Sequence, residues 1–179
     1  MGRQIIFCVE TDKRARTDVI YIKETINKFF SPVPDDYNIQ FICMGGKSKY
    51  KSKEVLKEIK EKTKMFLSNG ETIVIYCIDT DKIESSNEHL KEYEEIARFC
   101  MQNNYKFVWF CHDVEEVYLG HSIDDGKKKD AAVEFKVKNR IKEVDKRNLL
   151  AKQPSKSKSN ILEVLEESFK EQLWRREIQ

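Results

Sequence analysis

No stretch of this 179-residue chain approaches the roughly 20 consecutive apolar residues of a membrane-spanning helix. That lack excludes a helical membrane protein. The start of the chain has no leader pattern either. Met-Gly-Arg-Gln-Ile-Ile-Phe enters a strand at once, which leads to the expectation of a cytoplasmic protein. Cysteine pairs are absent as well. Cys8, Cys43, Cys77, Cys100 and Cys111 stand singly in apolar stretches, and five is an odd number. They read as reduced core residues, not as a disulfide frame or a zinc finger. No internal repeat is visible. The Gly-Lys-Ser at 46–48 lacks the upstream glycine that a P-loop requires. Net charge is almost absent, +2, although 36% of residues are charged, so the expected surface is well solvated.

What the chain does have is alternation. Residues 4–9 form a short apolar run ending on Glu10. Thr17 and Asp18 are helix-start residues, and Val19, Ile22, Ile26, Phe29 and Phe30 follow at helical spacing up to a stop at 31–36. Tyr37–Met44 reads as a second strand, closed by Gly45-Gly46, a pair that permits close approach to a phosphate. Residues 52–67 read as a helix with Leu56, Ile59, Thr63 and Phe66 on one face. The third strand, 71–79, is apolar from Ile73 to Ile78 and runs into Asp79-Thr80-Asp81. A helix over 87–102, with Leu90, Tyr93, Ile96, Ala97 and Cys100 as its stripe, leads to a fourth strand at 105–111. The order β-α-β-α-β-α-β predicts an α/β fold: a Rossmann-like, mostly parallel four-stranded sheet flanked by helices.

Beyond Cys111 the pattern changes. A short helix is expected to end at Gly120, which closes a first domain at 1–121. Residues 122–159 read as a basic, partly flexible segment. Between Lys127 and Lys158 there are twelve Lys or Arg against four Asp or Glu, a local +8 that leaves the rest of the chain near −6. A basic segment beside an acidic head suits a polyanionic substrate. Residues 160–179 read as an amphipathic helix with Ile161, Leu162, Leu165, Phe169 and Leu173 on its apolar face. Together these form a basic C-terminal helical extension.

In a parallel sheet all strands end on one edge, where ligands bind. If the first and third strands are neighbours, Glu10, Asp79 and Asp81 gather there. Carboxylates packed that closely repel unless one is protonated or a divalent cation sits between them. Oxygen-only donors suit Mg²⁺, or Mn²⁺, which keeps water positions free for a phosphate. The expected metal set is therefore Glu10, Asp79 and Asp81, with Glu10 a further ligand or a general base.

A glutamate ending the first strand, a glycine turn after the second and Asp-x-Asp ending the third resemble the Toprim domain of topoisomerases, primases and OLD nucleases. The resemblance covers about 4–120. A narrower one is to the RloB-like proteins of bacterial defence systems, whose first motif is roughly Glu-Gly-x-x-Thr-Glu-x-x-Tyr-Phe. Here Glu10 is followed, three residues late, by Thr17-Asp18-Val19-Ile20-Tyr21-Ile22, and Thr11 stands in place of the glycine. The family's later motif, roughly Asn-Pro-x-Phe-Glu-x-Trp-Leu, is matched by His112-Asp113-Val114-Glu115-Glu116-Val117-Tyr118-Leu119, which sets Glu116 on the family glutamate. The resemblance implies a Mg²⁺-dependent nuclease of an anti-phage or abortive-infection system. It would cleave RNA, tRNA among the candidates, under the control of a partner ATPase.

On that reading Glu116 holds a second metal or orients the other acids, and His112 contacts the scissile phosphate. Lys47 and Lys82 bind phosphate. Lys127, Lys128 and Lys129 hold the nucleic-acid backbone by counterion release, and self-association into a homo-oligomer is open. Two other classes compete. One is a receiver-like signalling domain using Glu10, Asp12 and Asp79, although no Ser or Thr ends the fourth strand. The other is a non-catalytic Toprim module that binds nucleic acid or an ATPase.

Overall fold

The computed structural model describes residues 2–30 and 37–169. Four parallel strands form the frame: β1 (Gly2–Val9), β2 (Tyr37–Cys43), β3 (Gly70–Asp79) and β4 (Lys106–Cys111). A fifth strand, β5 (Lys158–Ser159), pairs antiparallel with β4, so the sheet order is β2-β1-β3-β4-β5. The sheet thus has five strands where four were expected. Two residues are too short to carry a periodic signal, and they lie in a stretch whose Ser and Lys content reads as linker.

β1 and β3 are central, and both are apolar on both faces. Ile5, Phe7, Val9, Ile75 and Cys77 face one core, whereas Ile6, Cys8, Val74, Tyr76 and Ile78 face the other. That two-sided burial explains why these strands read as continuous apolar runs and not as alternating ones. α2 (Lys53–Phe66) and α3 (Asn87–Gln102) cover the second face through Val55, Ile59, Ile96 and Cys100. Each starts on a serine cap: the Val55 N–H donates to Ser52 Oγ, and the His89 N–H donates to Ser86 Oγ, both at 3.3 Å. The apolar stripes sit slightly differently from expectation, because Leu56 and Leu90 are exposed while Val55 is buried.

The first face carries α1 (Thr17–Phe29), α4 (Val114–Leu119), α5 (Lys128–Val137) and α6 (Ile161–Ser168). Residues 122–159 were expected to be partly flexible. Instead they fold into α5, three 3-10 turns and β5, and they bury Ala132, Phe135, Ile141 and Leu149 in the same core as α1. Tyr21, Tyr118 and Phe135 pack as an aromatic group with centroids 4.9–5.7 Å apart. A handful of large residues spaced far apart is enough to dock the segment, although its composition is mostly lysine. The expected helix stop at 31–36 and Leu173 lie outside the described residues.

Candidate active site

β1 and β3 pair as far as Val9 opposite Cys77, so Glu10 and Asp79 follow the paired stretch at the same sheet edge, one residue out of step. The Asp79 N–H donates to Glu10 Oε1 at 2.8 Å, and the Val114 N–H donates to Asp79 Oδ1 at 3.0 Å. Each carboxylate is therefore held through one oxygen. Among the described residues no hydrogen bond reaches Glu10 Oε2 or Asp79 Oδ2.

Two further acids close the group. The loop 11–16 folds back so that the Thr11 N–H donates to Asp18 Oδ2 and the Thr17 hydroxyl to Asp18 Oδ1, both at 3.1 Å. Glu115, only 1% exposed, comes in from α4. Lys128 Nζ lies 3.3 Å from its Oε2, yet neither oxygen of Glu115 accepts a well-formed hydrogen bond. Glu10, Asp18, Asp79 and Glu115, with Lys128 and Lys129 at the rim, line a cavity of about 270 Å³. A larger cavity, about 680 Å³, lies between α2 and the 103–105 turn and is lined by no carboxylate.

The electrostatics follow from burial. Glu10 is pushed up to about 8, first by desolvation and then by Asp18 and Asp81, against the Asp79 N–H and Lys47. Asp79 is pushed well above the ordinary carboxylate value by burial and then by Glu10, Asp18 and Glu115. Asp18 is raised by burial. Glu115 is raised to about 7, by burial first, with Lys128 opposing. Without a cation, such a cluster lowers its energy by keeping protons.

The expected triad is only partly assembled. Asp81, at a positive φ of 53°, forms an ion pair with Lys47, which also reaches Glu92 at 3.0 Å. Lys47 is thus a counter-charge for acids, not a free phosphate ligand, and burial draws its pKa down less than Asp81 and Glu92 raise it. Gly45 and Gly46 are likewise committed, because their N–H groups donate to Thr11 O at 3.3 Å and Glu10 O at 2.8 Å. Their φ values of 73° and 120° explain why glycine stands at both positions. Asp12 is exposed and accepts the Arg14 and Ala15 N–H groups at 2.7 Å, so it folds its own loop.

Glu116 points away from the cavity. Its Oε2 lies 3.1 Å from His112 Nδ1, and its Oε1 accepts from the Ser157 hydroxyl at 3.3 Å. His112 is in turn bonded through Nε2 to Glu84. Burial lowers the His112 pKa, but Glu84 and Glu116 overcome it and hold it above the ordinary value. Lys128 is bound among Glu115, Asp113 and Asp125, so it is an internal cation. Lys82, Lys127 and Lys129 remain exposed.

Sequence reasoning missed Asp18 and Glu115. Asp18 reads as a helix-start residue, although it occupies the acidic position of the Thr-Glu pair in the motif it resembles. Glu115 stands where that motif has an apolar residue, and only the packing of α4 shows that it is buried. Among the described residues, the group of three potential metal ligands with mutually close atoms is Glu84, Cys111 and His112, within 4.8 Å of one another. Scanned against protein-family models, curated proteins and solved structures, the chain matches none of them, so the reading of the site rests on its own residues.

Proposed function

We propose that this protein is a divalent-cation-dependent nuclease acting on RNA, with its reaction centre at Glu10 and Asp79. The observation that carries the reading is the cluster of Glu10, Asp18, Asp79 and Glu115, with the exposed Asp125 at its rim, around one cavity at the C-terminal edge of the parallel strands. Glu10 and Asp79 each keep one oxygen without a hydrogen-bond partner, and Glu115 keeps two. Hard oxygen donors of this kind suit Mg²⁺ or Mn²⁺. Glu10 and Asp79 would hold the ion, which supplies polarisation of a phosphoryl oxygen and activation of water.

The remaining residues prepare the site. Asp18 and Lys128 set its charge. The Val114 N–H fixes the Asp79 carboxyl, and the Asp79 N–H fixes Glu10. Lys129, exposed at the rim, offers a phosphate contact, the exposed Lys127 two residues away offers another in exchange for its pairing with Asp124, and Lys82 offers one from the turn after β3. The resemblance to Toprim and RloB-like proteins favours RNA, tRNA among the candidates, and favours control by a partner ATPase. The strand topology weighs against the receiver-like alternative, since the fifth strand is antiparallel and two residues long.

The test is cleavage of total tRNA, other RNA and DNA by the purified chain with Mg²⁺ or Mn²⁺, comparing wild type with Asp79→Asn. Wild-type cleavage of RNA, abolished in the variant, is expected. Equal cleavage by both would sink the proposal, and cleavage of DNA alone would overturn its substrate class.

A further inference from the structure

We propose that Glu84, Cys111 and His112 form a second metal site, separate from the carboxylate cavity and selective for a zinc-class transition ion. Sulfur, nitrogen and oxygen donors converge there, with ligand atoms all within 4.8 Å. Magnesium avoids thiols, whereas Zn²⁺ and Co²⁺ accept this mixed set. Three protein ligands leave a fourth position for water.

The local structure is built to present these atoms. Cys111 is the last residue of β4 and is 1% exposed. Phe110 and Cys111 pair on their outer side with Ser159 and Lys158 of β5. The Asp81 N–H donates to His112 O at 2.9 Å, which fixes the backbone after β4 against the turn after β3. That turn carries Glu84, whose side chain is largely exposed and adaptable.

A second feature points independently to a ligand. The His112 ring is held from behind, with Nδ1 3.1 Å from the nearly buried Glu116 carboxylate, while Nε2 faces Glu84. A carboxylate on one imidazole nitrogen with the other aimed at the donor group is the arrangement that orients metal-binding histidines. Glu116 is itself fixed: its N–H donates to Asp113 Oδ1 at 2.7 Å, and Ser157 Oγ donates to its Oε1. Three segments distant in the chain, 81–84, 111–116 and 157, thus converge on the His112–Glu116 pair. On binding, the Cys111 thiol and His112 Nε2 each release a proton to solvent, and Glu84 exchanges its bond to His112 for one to the ion. The site then pins the 80–86 turn, and with it the backbone of Asp79–Asp81, to the end of β4.

The experiment is a Co²⁺ titration of the full-length, metal-stripped chain under reducing conditions, followed by visible and near-ultraviolet absorption. One equivalent of Co²⁺ should develop a sulfur-to-cobalt charge-transfer band, and added Zn²⁺ should remove it. Cys111→Ser should abolish the band. Glu84→Gln, a change in an exposed turn, should weaken binding about tenfold, and Glu116→Gln should weaken it about 10- to 100-fold. Asp79→Asn should leave the titration unchanged, so failure of the nuclease reading does not decide this one. Absence of a charge-transfer band in wild type, its persistence in Cys111→Ser, or its disappearance in Asp79→Asn would overturn the proposal.

Discussion

Replacing Glu115 with glutamine should stabilise the cation-free protein, and only above a defined pH. Glu115 is 1% exposed, and its carboxyl is pushed from an ordinary value of 4.5 up to about 7. Burial is the main cause. Lys128, 3.3 Å away, offsets it in part, while Asp113 and Asp18 add to it. The folded chain therefore holds this proton more tightly than the unfolded chain. Below about pH 4 the side chain is neutral in both states, and its contribution to stability is fully present. As pH rises towards 7 the unfolded chain ionises first, and the contribution is lost. Each pH unit in that window withdraws about 1.4 kcal/mol, or about 3 kcal/mol in all. Glutamine keeps the shape and the neutral state at every pH. Glu115→Gln should match wild type near pH 4 and exceed it by about 3 kcal/mol at pH 8, which for a chain of this size raises Tm by about 6–12 °C. Thermal unfolding followed by circular dichroism across pH 4–8 in chelator would measure this. Parallel pH profiles, or a variant less stable than wild type at pH 8, would refute the reasoning and mean that Lys128 stabilises an ionised Glu115.

Three other substitutions test separate links. Phe135→Ala should cost about 3–5 kcal/mol in urea denaturation, because the ring is 1% exposed and packed on Tyr21 and Tyr118; a cost under about 1 kcal/mol would mean that α5 is not part of the core. Lys127→Ala combined with Lys129→Ala should weaken RNA binding and flatten its dependence on log salt by about 2, one for each phosphate no longer neutralised, and an unchanged slope in filter binding would remove both from the interface. Gly70→Ala should lower soluble yield and Tm sharply, since its φ is 155° and an added Cβ would meet the Gly2 carbonyl oxygen at 1.7 Å; a Tm within a few degrees of wild type would contradict the close approach of β1 and β3 there.

The legibility of the chain varied with how local the deciding physics was. β1 and β3 could be read because burial on both faces leaves an apolar run that no loop would carry, and their ends located Glu10 and Asp79 directly. α3 came out at its observed bounds, Asn87–Gln102, because its cap and stop are local signals. The segment 122–159 did not, since its contribution to the core comes from a few residues, among them Phe135, Ile141 and Leu149, spread through lysine-rich sequence. Asp81 and Glu116 were misplaced for a related reason. A carboxylate's position along the chain is legible, but its direction is set by a distant partner: Lys47 turns Asp81 and His112 turns Glu116. Asp18 and Glu115 were hidden because burial of an acid inside a helix's first turn is a fact of packing.

The strand order also bears on when the cavity comes into being during synthesis. Glu10 emerges early, but the N–H that orients it belongs to Asp79, 69 residues later. The Asp79 carboxyl then waits for Val114, a further 35 residues on, and Lys128 follows. At about 5–20 residues per second, the first acid precedes its last counter-charge by roughly 6–24 s. A nascent chain therefore carries separate acids and no assembled centre until residue 128 has left the ribosome. For a protein whose proposed substrate, RNA, surrounds it at that moment, central placement of β1 delays competence until Lys128 has emerged.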